Sequence, residues 1–194
     1  MSDGTSRSLH AWVDESVHVG NGLYLLAAAI APDDEAKLEA CRDHLRSLVR
    51  HARGRLHWRN EEEIDHIAIS EAIGSMPLSS IVVTATRLDP KKQERARRKC
   101  LEQLLHRLVT DGVEQVWLES RDVRGNSRDL AMVANLRSAR TLPGSIRVDH
   151  ARPLEEPLLW LPDSIAGAVA AAHDGHPRFR APLLHMLDEI TFEL

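Results

Sequence analysis

Apolar residues recur along the chain with two different periods. From Ser8 to Asp14 they alternate: Leu9, Ala11 and Val13 fall on one side, His10, Trp12 and Asp14 on the other. A period of two predicts a strand covered by helices on one side. Asn21-Gly22 then opens the nearly unbroken apolar run Leu23 to Ala31, which predicts a strand buried on both faces and joined to the first as a hairpin. Pro32-Asp33-Asp34 starts a helix to about Arg50, with acids near its positive end and Leu38, Cys41, Leu45, Leu48 and Val49 as its apolar stripe.

After a short extended piece, Gly54 to Asn60, a second helix opens at Glu61-Glu62-Glu63. It turns Ile64, Ile67, Ala68 and Ile73 inward and ends near Gly74 and Pro77. Ser80 to Thr86, rich in β-branched residues, predicts a third strand. Pro90 begins a basic helix to about Thr110, with Leu101, Leu104, Leu105 and Leu108 on its buried side, and Asp111-Gly112 stops it. Val113 to Glu119 is the fourth predicted strand, followed by a loop over Arg121 to Ser127 and a helix from Arg128 to about Arg140. Ser145 to Asp149 is a short strand, Pro162 to His173 a helix whose Ala and Gly residues allow close packing on a sheet, and Leu183 to Ile190 a helix in the tail. This order fits an α/β fold with a mixed sheet, built from a hairpin followed by crossovers.

Composition narrows the function classes. At 194 residues and 43% hydrophobic content the chain is long enough for one domain with a substantial core. No run approaches the roughly 20 apolar residues of a membrane span, and the first eight residues are polar, so a cytoplasmic protein without membrane association is expected. Cys41 and Cys100 are too few for a disulfide framework and read as reduced thiols. The net charge of −4 argues against a surface coated for general nucleic-acid binding. Phosphate affinity comes from clustered Lys and Arg, so any such site must be local. Of 25 basic residues 21 are Arg, which suits bidentate phosphate contacts and is equally what an Arg-biased coding composition supplies. Residues 87–107 carry a local net charge of +5, either a phosphate-facing surface or a solvated helix face.

Three apolar segments run into carboxylates: Leu9 to Val13 into Asp14-Glu15, Val113 to Leu118 into Glu119, and Leu158 to Leu161 through Pro162 into Asp163. If the fourth strand lies parallel beside the first, the sheet has a switch point between them, and strands roughly 4.8 Å apart bring Asp14 and Glu119 within reach of one cation. Asp163 would join them from a helix laid across the strands. Oxygen-only ligands favour Mg²⁺ or Mn²⁺, the ions of phosphodiester hydrolysis. Glu15, Asp122 and His57 are candidates for supporting or proton-handling roles. Each acid also has a plainer reading, Asp163 as a helix cap and Glu119 as a solvated turn residue.

Ala11-Trp12-Val13-Asp14-Glu15-Ser16, Leu56-His57-Trp58, Val116-Trp117-Leu118-Glu119 and Leu161-Pro162-Asp163-Ser164-Ile165-Ala166-Gly167 resemble a large bacterial family of the ribonuclease H-like superfamily. Its members begin with Asp-Glu-Ser-Gly. The resemblance spans most of the chain and implies a single ribonuclease H-like domain over 1–194: a mixed five-stranded sheet flanked by helices, a helical insertion at about 33–77 between the second and third strands, and a helical tail at about 178–194. It matches Asp14, Glu119 and Asp163 to the acidic metal-ligand positions and implies a catalytic-site role for His57, where a packed core histidine is the alternative. Val17 stands where the family has Gly, and Trp160 and Pro162 replace its Gln and Ala.

The leading expectation is therefore a Mg²⁺- or Mn²⁺-dependent nuclease acting on RNA or DNA, with Asp14, Glu119, Asp163, Glu15 and His57 as catalytic residues. Arg121, Arg124 and Arg128 are expected to bind substrate, their alternative being ion pairs with Asp122 and Asp129. A non-catalytic ribonuclease H-like scaffold, binding nucleic acid, a protein partner or a second copy, is the rival. A hydrolase of small phosphorylated molecules is weaker, because the chain has no Gly-rich phosphate loop.

Overall fold

A computed structural model describes residues 8–50 and 54–194. Strand β1 (Leu9–His18) turns at Gly22, whose φ of +63° favours glycine, into β2 (Leu23–Pro32). Helices α1 (Glu35–Leu48) and α2 (Glu63–Gly74) follow, then β3 (Ser79–Thr86), α3 (Gln93–Thr110), β4 (Val113–Glu119), α4 (Val123–Ser138), β5 (Arg147–Ala151), α5 (Trp160–His173) and β6 (Leu187–Glu193). The six strands form one mixed sheet in the order β5-β4-β1-β2-β3-β6. β1 pairs antiparallel with β2 and parallel with β4, as expected.

Helices cover both faces, not one. Ala11 and Val13 point with Tyr24, Leu26 and Val83 into a core closed by α3 and α4; Trp12 points with Leu25, Ala27 and Ala29 into a second core under α1, α2 and α5. The intervening polar positions of β1 misled the pattern, because Trp12 is itself a core residue. Helix α5 is apolar on nearly every side, since the sheet lies beneath it and α2 beside it. Its Ala and Gly residues permit that close approach.

Several boundaries differ from the sequence reading. Helix α2 presents Ile69 and Ile73 to the core and leaves Ile64 exposed, because its first turn projects toward solvent. Helix α4 begins at Val123, five residues early, since the Asp122 carboxylate caps it by accepting from Gly125 N at 2.6 Å. The expected tail helix is instead two 3-10 turns and a strand. Ile190, Phe192 and Leu194 pack inward with Glu189, Thr191 and Glu193 outward, and that alternation lets β6 pair parallel with β3 as a sixth strand where five were expected. The helices between β2 and β3 are present as anticipated. No helix among the described residues is long and apolar enough to cross a membrane.

Candidate functional site

The parallel pairing of β1 with β4 stops where β4 ends, whereas β1, expected to end at Asp14, runs on to His18 beside β2. Val13 pairs with Leu118, so the next residues, Asp14 and Glu119, stand side by side on the α5 face. Asp163 sits one turn into α5, whose start is held by Arg42 of α1: its guanidinium donates to both Glu156 carboxylate oxygens at 3.0 Å, and Glu156 accepts from Leu158 N. Pro162 falls in the first turn of α5, where a missing donor is harmless. The buried Trp160 lines the site and donates its indole N–H to Pro153 O at 2.7 Å. Trp160 therefore serves as a wall of the site.

Asp14, Glu119 and Asp163 line one cavity of about 210 Å³ with Glu15, Arg55, Leu56, His57, Pro153, Leu159 and Trp160. The electrostatics are those of crowded acids. Burial, then the charges of Glu119 and Asp163, hold the Asp14 carboxyl well above the ordinary carboxylate range. Burial and Asp163 raise Glu119 too, opposed by Arg55, whose Nη1 lies 3.8 Å away, and by a hydrogen bond from Asp14. Asp163 does not cap its own helix. Its carboxylate meets His57 Nδ1 at 3.0 Å and accepts from Trp58 N at 2.8 Å. That hydrogen bond raises the His57 pKa, against the opposing effect of burial. Among the described residues, no three His, Cys, Asp or Glu side chains are already drawn together as a metal cage.

Glu15 lines this cavity as expected, but its carboxylate turns to the opposite face of β1. It accepts from Tyr24 Oη and from Arg97, whose buried guanidinium also makes a two-point contact with Asp129, Nε to Oδ1 at 3.0 Å and Nη2 to Oδ2 at 2.7 Å. His150 approaches the same Asp129 at 3.4 Å. Although burial opposes it, hydrogen bonds from His150 and Arg97 hold Asp129 down at about 2. The period-two geometry of a strand separates Asp14 from Glu15 across the sheet.

The arginines go the same way. Arg121 donates to Glu94 at 2.6 Å and to Asp129 at 3.3 Å, Arg128 lies 3.7 Å from Glu94, and Arg124 is exposed in the first turn of α4. All three belong to the α3–α4 side, because α4 starts on that face, and they do not line the carboxylate cavity. The expected pairing with Asp129 holds for Arg121, while Asp122 serves as the cap of α4. Within the basic segment, Arg97 is buried in this cluster.

Residues the sequence reading passed over complete the site. Arg55 faces Glu119. Trp58 lies against Gly167 of α5, where any Cβ would fall inside the indole, and its ring stacks on His66 with centroids 3.9 Å apart. The Leu56-His57-Trp58 segment was visible in the sequence, but its neighbours come from α2 and α5, which no local pattern connects to it. The chain matches no protein-family model, and no curated protein matches it.

Proposed function

We propose that this protein is a divalent-metal-dependent phosphodiester hydrolase of ribonuclease H-like fold, acting on RNA or DNA. One observation carries the reading: acids from β1, β4 and α5 line a single cavity, and two of them are held above their ordinary range by burial and by their acidic neighbours. A hydrolase site for phosphodiesters needs concentrated negative oxygen ligands that a cation can neutralise. The strand order, with β1 between an antiparallel and a parallel neighbour, agrees with the fold implied by the sequence resemblance. β6 extends that sheet.

The donor chemistry fits Mg²⁺ or Mn²⁺, with Asp14, Glu119 and Asp163 as the residues that would hold it. When bound, such an ion supplies charge stabilisation and an activated water for attack at phosphorus. The protein's own groups do the rest. His57 and Trp58 N fix the Asp163 carboxylate, Arg55 offers a guanidinium for a phosphate oxygen beside Glu119, and Trp160 and Leu159 form the apolar wall. Arg121 takes no part, and the Glu15 carboxylate is held by Tyr24 and Arg97 at the edge of the site.

Labelled single- and double-stranded RNA and DNA, incubated with the purified chain and Mn²⁺, test this reading. Cleavage falling to about one-hundredth or less in Asp14→Asn is expected; cleavage unchanged by that substitution rejects the assignment.

A second reading is a non-catalytic scaffold of the same fold that binds a strand or a protein partner. It is favoured by the engagement of Asp163 with His57 and Trp58 and by the lack of a ready three-ligand cage among the described residues. Titration calorimetry with Mn²⁺ separates the two: no heat of binding at the acids, with strand binding intact, selects the scaffold.

A further inference from the structure

A second and larger cavity, about 480 Å³, opens beside the carboxylates and shares Glu15, His57 and Asp163 with them. Its walls come from three elements. Asp163, Gly167 and Ala171 recur at one-turn spacing along α5 and Asp174 follows at its C-terminus; Gly167 admits the Trp58 indole, and the small Ala171 leaves space beyond it. The end of β1 supplies Ser16 and His18, joined by a 3.0 Å hydrogen bond between Ser16 Oγ and His18 Nε2. Trp58 and Arg59 form the third wall, backed by His66. Asn21 donates to Asp174 and so anchors the far end.

We propose, on the basis of the hydrolase reading above, that this cavity receives the nucleotide adjoining the scissile phosphate of a single-stranded nucleic acid. The volume lies within the roughly 300 to 1,000 Å³ of sites that enclose one small-molecule-sized unit. The lining has the mixed character a nucleotide requires. The His57 and His18 imidazoles and the margin of the Trp58 indole offer polarisable surface, Ser16 and His18 offer donors and acceptors for a base edge, and exposed Arg59 at the rim offers a fork for the next phosphate. A base can enter a walled cavity only when unstacked and unpaired, which costs least on a single strand. The smaller cavity then holds the phosphodiester, and the shared His57–Asp163 pair marks the boundary between the two subsites.

The test compares substrates that do and do not reach the second cavity. Bis(p-nitrophenyl) phosphate engages only the carboxylate cavity, whereas labelled single-stranded decanucleotides of RNA and DNA engage both. Ala171→Leu fills the cavity and Arg59→Ala removes the rim cation. With Mn²⁺, each variant should lower kcat/KM at least tenfold on the better single strand and stay within twofold of wild type on the small diester. Wild type should also prefer that strand to its duplex tenfold. Equal losses on both substrates, no loss on the strand, or duplex cleaved as fast as single strand would overturn the proposal. If Ala171→Leu does not fold, judged by circular dichroism, Arg59→Ala carries the comparison. If wild type cleaves nothing, the hydrolase reading fails separately, and fluorescence anisotropy of the same strands decides the subsite. Strand binding weakened tenfold by Arg59→Ala supports it, and absent or unaffected binding overturns it.

Discussion

Asp14 and Glu15 are consecutive residues on one strand, yet they live in opposite electrostatic worlds. On the α3–α4 face, Glu15 and Asp129 share the Arg97 guanidinium, with His150 and Arg121 adding donors to Asp129. On the α5 face, Asp14 and Glu119 crowd together with Asp163, and the cations nearby are Arg55 at the rim and His57. Compensated buried charge holds elements together. Uncompensated buried charge is unfavourable to the isolated fold, and its persistence is understandable when a cation or substrate completes it.

The largest effect should come from breaking the compensated side. Asp129→Ala leaves Arg97 buried with Glu15 alone and is expected to cost about 3 kcal/mol, the low end for a broken buried pair, measured by urea unfolding. Its hydrolytic rate per folded molecule should be preserved, since neither Asp129 nor Arg97 lines the carboxylate cavity. A large rate loss at unchanged stability would mean that the two faces are coupled.

The uncompensated side should respond with the opposite sign. Asp14→Asn removes a buried charge, so in the absence of divalent ions it should stabilise the fold by about 1 kcal/mol near neutral pH, or raise Tm by roughly 2 to 4 °C, while abolishing cleavage. The pH dependence follows from the same shifts. Asp14 and Glu119 titrate above their ordinary values near 3.8 and 4.5 in the folded protein, so their contribution to stability is present below those values and lost as pH rises through the higher folded ones. Asp129 is depressed to about 2, so its contribution is present above 3.8 and lost as pH falls through about 2. Thermal melts across pH, with and without Mn²⁺, check this: the cation should flatten the loss on the alkaline side only. A metal-free Asp14→Asn protein no more stable than wild type would remove the contrast between the faces.

The smallest effect belongs to the exposed margin of the compensated cluster. Arg128 is 63% exposed and 3.7 Å from Glu94, so Arg128→Ala should change stability by less than about 0.5 kcal/mol. Substrate KM should stay within twofold. A larger rise would restore Arg128 to the substrate path.

Local pattern was enough to read five of the six strands, the leucine face of α3 and the acid that follows each of three apolar segments. Alternation marked β1, an unbroken apolar run β2 and β-branched content β3, and all of that information is contiguous in the chain. The parallel pairing of β1 with β4 was inferable only as the economical arrangement. Tertiary structure decided the rest. It made the tail a strand because the edge of β3 was open to pair with it, and it divided Asp14 from Glu15 by giving each face of the sheet its own helices. It turned Arg121 and Arg128 toward Glu94 and brought Trp58, His66 and Gly167 around a cavity beside the acids. A sequence records that a carboxylate ends an apolar run. Whether a guanidinium waits for it depends on distances between segments far apart in the chain, which only packing establishes.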